Sequence, residues 1–316
     1  MIGYYSVSLQ GSNHQENGIP NQDCKAVRLI NDGWVVAVVA DGLSSATYSE
    51  LGSKTAVDSV ICFFEKNCPK FWHVDSIIAT IRLAFVQAIQ NIKYLAKSEG
   101  VDYHELETTL TCAVYNNDRL VYGHIGDGGI ITLDPFGCYH QLTTPQKGEH
   151  FNETAVLVEN PKDWVFGISN EPVAALLLAT DGIYDILCPS LLAATDNPLW
   201  INQIKWFIDC SLVELQSVKD FSDYERKLLR ILSEKNFATV SDDKTIIGIV
   251  NTSIVPERMP SEYYEEPDWK SLKATRQEGL YEDEISNVLA LTNEQPCDFD
   301  KFYDAAEGQH KTRFFE

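Results

Sequence analysis

Residues 35–42 run Val-Val-Ala-Val-Val-Ala-Asp-Gly, an apolar stretch that ends in an aspartate and a glycine. The same ending closes two further apolar runs, at Asp127-Gly128 and at Asp181-Gly182, and the acidic pair Asp242-Asp243 directly precedes the apolar run 245–250. Short runs rich in valine, isoleucine and leucine and bounded by turn residues are typical of β-strands. Each aspartate is therefore expected at a strand end, where glycine lets the backbone turn sharply or approach a ligand.

Two long helical patterns lie between the first strand-like runs and the later ones. They cover residues 50–66 and 74–97, and in the second pattern apolar residues recur every three or four positions. Consecutive helices inserted between groups of strands favour an α+β domain with antiparallel sheets, because βαβ crossovers would alternate more regularly. A further helical block is expected at residues 199–235, before the last strand.

The composition changes after residue 255. Three prolines follow within twelve residues, Pro256, Pro260 and Pro267, together with the run Tyr263-Tyr264-Glu265-Glu266. This pattern predicts a linker, and the acidic stretch beyond it has one weak helical pattern at residues 280–291. We therefore predict one domain over residues 1–254 and an acidic linker and tail over residues 255–316.

Composition and charge exclude several classes of protein. The formal net charge of −21 argues against electrostatic binding to a nucleic-acid backbone or to an anionic membrane surface. The eight cysteines include no Cys-x-x-Cys pair, which indicates reduced thiols rather than a zinc site or a disulfide framework. No apolar stretch is long enough to span a bilayer, and the first residues lack the pattern of a signal peptide. We therefore expect a cytoplasmic protein with neither nucleic-acid nor membrane partners.

The repeated aspartates point to a metal site. Carboxylates gathered at strand ends repel one another and are costly to bury, so such a group is expected to hold cations. Oxygen ligands without neighbouring cysteine or histidine favour Mg²⁺ or Mn²⁺. Two such ions can lower the pKa of a bridging water and hold a phosphoryl group for attack, which indicates phosphoester hydrolysis. Asp-Gly after a strand is also an ordinary turn signal, and the pattern alone leaves that alternative open.

Seven short segments of the chain follow one another in an order that is itself informative. They are Gly11-Ser12-Asn13-His14 with Gly18 and Asn21-Gln22-Asp23, Val39-Ala40-Asp41-Gly42, Thr108-Thr109-Leu110, Gly126-Asp127-Gly128, Gly148-Glu149 with Asn152-Glu153-Thr154, Ala179-Thr180-Asp181-Gly182 with Asp185, and Ser241-Asp242-Asp243-Lys244-Thr245. In this order the segments resemble the metal-dependent serine/threonine protein phosphatases of the 2C class (PPM family), especially a bacterial branch. Any one segment is weak evidence, whereas seven in order are specific.

The resemblance implies a fold and a set of ligands for two core ions, Mn²⁺ or Mg²⁺. The fold is a four-layer αββα sandwich, in which two antiparallel β-sheets are flanked by helix pairs and the metals lie in a channel at one end. Asp41 matches the carboxylate that bridges the two core ions, and the Gly42 carbonyl matches a further ligand. Asp181 and Asp242 match the remaining core ligands, and the three aspartates are the predicted catalytic carboxylates.

The same resemblance implies a third, weaker ion and an outer contact. Asp127, together with Asp181 and Asp185, matches the position of that third ion. Asp23 matches an acidic residue that holds metal-bound water. These assignments come from the family pattern and from no other feature of the chain.

Three positions depart from the family pattern. Leu43 stands where the family commonly has a histidine proposed as general acid, and the phosphate-binding arginine of the first motif is absent. His14 lies near that position and is a candidate to bind or protonate the phosphoryl group, the alternative being a half-buried histidine satisfied by backbone groups. Gln22 replaces the more usual glutamate, which puts one water-mediated metal contact in doubt.

Other polar positions near the motifs also have two interpretations. Thr108 and Thr109 are either plain strand threonines or hydrogen-bond partners of the aspartate cluster. His124, inside an apolar run, is expected to be a packed core residue rather than a ligand. The stretch 146–170 resembles the mobile flap beside the family's channel, where substrate selection is a reasonable role.

The function favoured by these observations is hydrolysis of phosphoserine or phosphothreonine in a partner protein, with a metal-bridging hydroxide as the nucleophile. The resemblance makes a cognate serine/threonine kinase or its targets the expected signalling partners. One alternative is a catalytically weak binding or sensing module, against which the retention of Asp41, Asp181 and Asp242 argues, because clustered carboxylates are costly to keep. Another alternative is a phosphomonoesterase for small molecules.

Overall fold

The computed structural model describes residues 2–31, 33–146, 154–157, 161–208, 221–233 and 240–275. The strands in these ranges are β1 (Ile2–Leu9), β2 (Cys24–Ile30), β3 (Trp34–Ala40), β4 (Leu110–Asn116), β5 (Arg119–Ile125), β6 (Gly129–Leu133), β7 (Tyr139–Gln141), β8 (Val165–Ile168), β9 (Ala175–Ala179) and β10 (Lys244–Asn251). The helices are α1 (Ser12–Asn17), α2 (Ser49–Asn67), α3 (Val74–Glu99), α4 (Asp181–Leu187), α5 (201–208), α6 (Phe221–Ser233) and α7 (Trp269–Thr275).

The described strands form two five-stranded sheets. Sheet A has the order β1-β10-β9-β6-β7, and sheet B has the order β2-β3-β4-β5-β8. All neighbouring strands are antiparallel, which confirms the predicted α+β class with antiparallel sheets. β10 is the last strand along the chain, yet it lies inside sheet A between β1 and β9.

The two sheets pack face to face. Val35, Ala37 and Val39 of β3 belong to the same buried cluster as Leu176 of β9 and Ile247 of β10, so this cluster fills the space between the sheets. The opposite faces are covered by helices: α2 and α3 pack on sheet B, and α4, α5 and α6 pack on sheet A. These contacts confirm the four-layer αββα sandwich.

Burial on both faces explains why the strands contain continuous apolar runs. Antiparallel sheets often expose one face and then alternate apolar with polar residues. Here every residue of β3 and of β9 is buried. Six apolar runs can be read from the sequence, and they correspond to the six interior strands of the two described sheets: residues 34–40, 110–115, 120–125, 130–133, 174–179 and 245–250. Within the described ranges, no helix is long and apolar enough to cross a bilayer.

Part of the segment predicted as a linker packs on the helices that cover sheet A. Trp269 is 8% exposed, and its ring meets that of Trp200 edge to face with centroids 4.9 Å apart. Trp200 Nε1 donates a hydrogen bond to Glu266 Oε2 at 2.9 Å, and Asn202 Nδ2 donates to the Tyr264 carbonyl at 2.9 Å. Trp269 therefore contributes to the core, with Tyr263, Tyr264 and Leu272 packed against it, whereas the domain boundary at residue 254 stays a prediction.

Replacing Trp269 by alanine should lower the free energy of unfolding by about 3 kcal/mol, because truncation of a buried aromatic leaves a cavity. The measurement is urea unfolding of the full chain followed by circular dichroism. Phe71→Ala is the matched control, since Phe71 is 82% exposed and its loss should change stability by less than about 0.5 kcal/mol. Equal effects of the two substitutions would show that the segment around Trp269 does not stabilise the domain.

Candidate metal centre

Strand register brings three of the predicted aspartates to one end of sheet B. Asp41 follows the last residue of β3, and the pairing of Cys24 with Ala40 places Asp23 beside it. The pairing of Leu110 with Ile125 brings the end of β5, and with it Asp127, to the same edge as the start of β4. Asp127 follows the turn residue Gly126, whose φ of +127° is one that residues with a side chain rarely adopt.

Sheet A contributes the other two strand ends. Asp181 begins α4, two residues after β9 ends, and Asp242 lies two residues before β10. β9 and β10 are antiparallel, with Ala179 opposite Ile246, so the end of one and the beginning of the other lie together. Thr180 N donates to the Thr245 carbonyl at 3.1 Å and continues this pairing to the site.

The aspartates from the two sheets meet across the sandwich. One carboxylate oxygen from each of Asp41, Asp127 and Asp181 lies within 4.8 Å of the others. Asp242 is outside this closest group, but its charge contributes to raising the pKa values of Asp23, Asp41 and Asp181. The exposed Asp185, one turn along α4 from Asp181, raises the pKa of Asp181 in the same way.

Burial and mutual repulsion make these carboxylates reluctant to ionise. Desolvation by burial is the largest cause and raises the pKa of Asp23 to about 7. The pKa values of Asp41 and Asp181 are raised well above the ordinary range by burial and by neighbouring carboxylates, and that of Asp127 is raised by burial. A bound dication would relieve both causes, because it replaces lost solvation and screens the like charges.

The donor set fits a hard dication. Among the described residues, Asp23 Oδ1 and Asp127 Oδ1 are buried and have no hydrogen-bond partner, which is costly unless they bind a cation. The second oxygens of both residues are held by threonines, since Thr180 Oγ1 donates to Asp23 Oδ2 at 2.8 Å and Thr154 Oγ1 donates to Asp127 Oδ2. Oxygen ligands of this kind suit Mg²⁺ or Mn²⁺ better than zinc.

Two threonines fix the backbone of Asp41. Thr108 Oγ1 donates to the Asp41 carbonyl at 2.7 Å, and Asp41 N donates to Thr109 Oγ1 at 2.9 Å. Of the two interpretations of these threonines, the structure therefore shows hydrogen bonds to the aspartate cluster. The bonds are made to the backbone of Asp41. Gly42 is required by space: a Cβ at this position would lie 2.6 Å from the Ser49 carbonyl oxygen.

The sequence patterns assigned no role to Asp243, and the structure gives it one. Its side chain is buried, with Oδ1 accepting from Gly11 N and Oδ2 accepting from Gln22 N, both at 2.6 Å. It therefore ties the start of β10, beside Asp242, to the segment that carries Asp23. The neighbouring Lys244, also buried, donates through Nζ to the Val240 carbonyl at 2.7 Å and the Asp242 carbonyl at 3.0 Å.

His14 lies against Asp243. It is 4% exposed, and its Nδ1 is 3.0 Å from Asp243 Oδ2, although the angle departs from that of a hydrogen bond. Gln22 is also buried, and its Oε1 has no hydrogen-bond partner in the described part of the chain. Leu43 packs against the core formed with α2 and α3. A direct role of His14 with the phosphoryl group stays a prediction.

Two further predictions concern His124 and the flap. His124 is 1% exposed, its Nδ1 is 2.8 Å from Thr111 Oγ1, and burial lowers its pKa to about 4, so it is a packed core residue as expected. Of the flap, Thr154 reaches Asp127, and Leu157 N donates to the Thr108 carbonyl at 2.9 Å. Gly148, Glu149, Asn152 and Glu153 lie outside the described residues.

Comparison with known proteins gives a consistent family. The family model described as "Protein phosphatase 2C" matches residues 10–239. No curated protein matches the sequence of this chain. Among solved structures, the serine/threonine phosphatase Stp1 from Staphylococcus aureus has a TM-score of 0.55 at 17% identity and covers 79% of this chain and 95% of its own.

Two other structures share the fold at similar levels. The S. agalactiae serine/threonine phosphatase has a TM-score of 0.56 at 15% identity and covers 79% of this chain and 99% of its own. The catalytic domain of the serine threonine protein phosphatase PstP, solved in complex with two manganese ions, has a TM-score of 0.51 at 17% identity and covers 79% of this chain and 97% of its own. At these identities the similarity establishes the fold alone.

The raised pKa values predict an unusual pH dependence in EDTA. Asp23 has a folded-state pKa of about 7 against an ordinary value of 3.8, so its contribution to stability is fully present below the ordinary value and is lost as pH rises through 7. We expect the free energy of unfolding in EDTA to fall by about 2 kcal/mol between pH 5.5 and 7.5. Asp23→Asn should flatten this dependence of the free energy of unfolding on pH. Asp75→Asn is the control and should not flatten it, because Asp75 is exposed.

Mn²⁺ should reverse that pH dependence. Metal competes with protons for the carboxylates, so binding tightens as pH rises, and a saturating ion stabilises the folded state by about 3 kcal/mol at 100 times its Kd. Thermal melts in EDTA and in Mn²⁺ at both pH values make the measurement. Identical melts with and without Mn²⁺ at pH 7.5 would be incompatible with a preformed centre.

Proposed function

This chain belongs to the protein phosphatase 2C family and is a protein serine/threonine phosphatase, and we propose that it hydrolyses phosphoserine and phosphothreonine in a partner protein by direct attack of a metal-activated water. The main support for the proposal is that carboxylate oxygens of Asp41, Asp127 and Asp181, from both sheets, lie within 4.8 Å of one another. In addition, the buried Asp23 Oδ1 and Asp127 Oδ1 have no hydrogen-bond partner among the described residues. The phosphorylated partner would be a cognate kinase or one of the targets of that kinase.

We assign the core ions to Asp41, Asp181 and Asp242 with the Gly42 carbonyl, and a third, weaker ion to Asp127, Asp181 and Asp185. When bound, Mn²⁺ or Mg²⁺ lowers the pKa of a coordinated water and neutralises charge on the phosphoryl oxygens. We place Asp23 at a water of that centre.

The residues around these ligands position them. Thr108 and Thr109 hold the backbone of Asp41, so its carboxylate is presented from a fixed point at the end of β3. Thr180 orients Asp23 by donating to one of its oxygens, and the other oxygen has no hydrogen-bond partner among the described residues. Ligands that are already oriented lose little conformational freedom when they bind an ion or a substrate.

Thiol chemistry is a poor alternative to attack by water. A cysteine nucleophile acts as the thiolate, and burial raises the pKa of the Cys112 and Cys188 thiols far above neutrality. The thiols of Cys24, Cys68 and Cys138 also have raised pKa values. Five of the six described cysteines are thus poor nucleophiles, and we propose single-step hydrolysis by water without a phospho-enzyme.

The amides Asp41→Asn, Asp181→Asn and Asp242→Asn should each reduce kcat/KM at least 100-fold, because an amide keeps the shape of the side chain but loses the charge that holds a dication. Turnover of p-nitrophenyl phosphate and of a phosphothreonine peptide, in EDTA and after Mn²⁺ is restored, is the measurement. Asp75→Asn, an exposed change far along the chain from the motifs, should retain full activity.

The two substrates also separate the rival functions. A peptide preferred over p-nitrophenyl phosphate supports a protein phosphatase, and the reverse preference supports a small-molecule phosphomonoesterase. No Mn²⁺-dependent turnover of either substrate by the wild-type chain would leave only a binding or sensing module.

The predicted catalytic role of His14 can be separated from a positioning role. Its burial against Asp243 favours positioning, because Asp243 in turn holds Gly11 N and Gln22 N. We therefore expect His14→Ala to lower kcat/KM about tenfold on both substrates, the equivalent of about 1.4 kcal/mol. His14→Asn should recover most of the loss, since its amide nitrogen occupies the place of Nδ1 and cannot titrate.

A general acid would behave differently. It matters most for a poor leaving group such as a threonine side chain, and little for p-nitrophenolate. A much larger loss on the phosphopeptide than on p-nitrophenyl phosphate, not recovered by His14→Asn, would assign proton transfer to His14 and contradict positioning. The pH profile of kcat/KM for the wild type and His14→Asn gives the second readout.

A further inference from the structure

A groove of about 520 Å³ lies between the helices that cover sheet A and residues 256–275, which we call the C-terminal segment. Its apolar floor includes Leu192, Leu199 and Ile201 from the chain after α4, and Pro267 and Leu272 from the C-terminal segment. The volume is within the range of ordinary ligand sites. None of the aspartates of the metal centre is among the described residues that line the groove.

The two walls of the groove are held together independently of any ligand. Trp200 and Trp269, which adjoin lining residues in sequence, pack edge to face. Glu266 accepts hydrogen bonds from Trp200 Nε1 at 2.9 Å and from Asn202 Nδ2 at 2.8 Å. Both carboxylate oxygens of Glu266 are thus occupied by hydrogen bonds within the fold. The groove is a preformed surface, because these contacts fix the separation of its walls.

The rim of the groove is acidic. Asp196, Glu262, Glu265 and Asp268 line it, and the described lining residues include no lysine, arginine or histidine. Asp268 is engaged, since its carboxylate accepts from Ser271 N at 3.1 Å and Ser271 Oγ at 2.7 Å at the start of α7. Asp196, Glu262 and Glu265 are exposed, and their carboxylates make no ion pair with the described residues. Three charges therefore face solvent around an apolar floor.

We propose that this groove docks a short basic segment of a partner protein. One or two leucine-sized side chains of the segment would lie on the apolar floor, and lysine or arginine side chains would meet Asp196, Glu262 and Glu265. Apolar anchors surrounded by complementary charge are the usual composition of a peptide-binding surface. Docking in this groove does not depend on the phosphatase reaction.

Charge disfavours two other occupants, a second copy of the chain and residues 276–316 of the same chain. A second copy of the chain carries a net charge of −21 and would be repelled. Residues 276–316 of the same chain contain ten Asp and Glu against four Lys and Arg, so this sequence is also of the wrong sign. A partner of opposite charge remains the occupant that fits the rim.

The test uses the full chain and fluorescein-labelled twelve-residue peptides in which two leucines, spaced by one to four residues, are flanked by lysines. Two matched series replace leucine by alanine or lysine by glutamate. Fluorescence anisotropy gives the Kd of each peptide. We expect a lysine-leucine peptide to bind at least tenfold more tightly than its alanine or glutamate counterpart, with affinity falling as salt rises.

Variants locate the binding. Glu262→Gln with Glu265→Gln should weaken the lysine-leucine peptide about fivefold, and Leu272→Ala should weaken it by a similar factor. Glu99→Gln with Glu171→Gln removes the same charge from exposed sites elsewhere and should change the Kd less than twofold. Turnover of p-nitrophenyl phosphate and the melting temperature should be unchanged in both double variants.

Four results would overturn the proposal. Equal weakening by the two double variants would mean that the peptides respond only to the overall negative charge. If no lysine-leucine peptide bound the wild type more tightly than the rim variant, Glu262→Gln with Glu265→Gln, a basic partner would be excluded. Self-association that the rim variant abolishes would make a second copy the occupant. Binding seen only after removal of residues 276–316 would make that segment the occupant.

Discussion

Like charges held together at the ends of two sheets are the constraint on which the rest of this structure depends. Asp41 and Asp127 come from sheet B and Asp181 comes from sheet A, so their repulsion acts directly across the sandwich. The apolar cluster between the sheets opposes it by holding the two strand ends at a fixed separation. Cation binding relieves the repulsion and is thereby linked to the stability of the whole domain.

The backbone around the carboxylates is packed closely enough to keep them in place. A Cβ at Gly182 would lie 2.0 Å from the Asp243 carbonyl oxygen, and one at Gly11 would lie 2.3 Å from the Ser241 carbonyl oxygen. Asp243 adds hydrogen bonds to residues 11 and 22, which are far away in sequence, and Lys244 adds local ones at the start of β10. The positions of the ligands are thus set by neighbours that themselves bind no substrate.

The sequence allowed the interior of the fold to be predicted better than its edges. The six apolar runs correspond to the interior strands, whose two faces are both buried, whereas β1, β2, β7 and β8 lie at sheet edges. β1 alternates buried with half-buried residues, and β7 and β8 are only three and four residues long, so none of these three has a long apolar run.

The Asp-Gly endings of the apolar runs likewise predicted which strand ends carry the carboxylates of the site. The role of Asp243 depends on donors from residues 11 and 22, which no local pattern identifies. Trp269 was likewise hidden among prolines and acidic residues that predict a linker, since its partner Trp200 lies 69 positions earlier.

The position of β10 inside sheet A has a consequence for synthesis on the ribosome. β1, the first strand to emerge, has no neighbour in its sheet until β10 is available, and β9 lacks one of its two neighbours until then. Sheet A therefore cannot close until residue 251 has left the exit tunnel, whereas β2, β3, β4 and β5 can pair as they appear. Pairing between strands so distant along the chain is slow, and the waiting strands expose apolar faces. The interval between completion of β5 and release of β10 is thus the one in which unpaired strands of sheet A are exposed to aggregation.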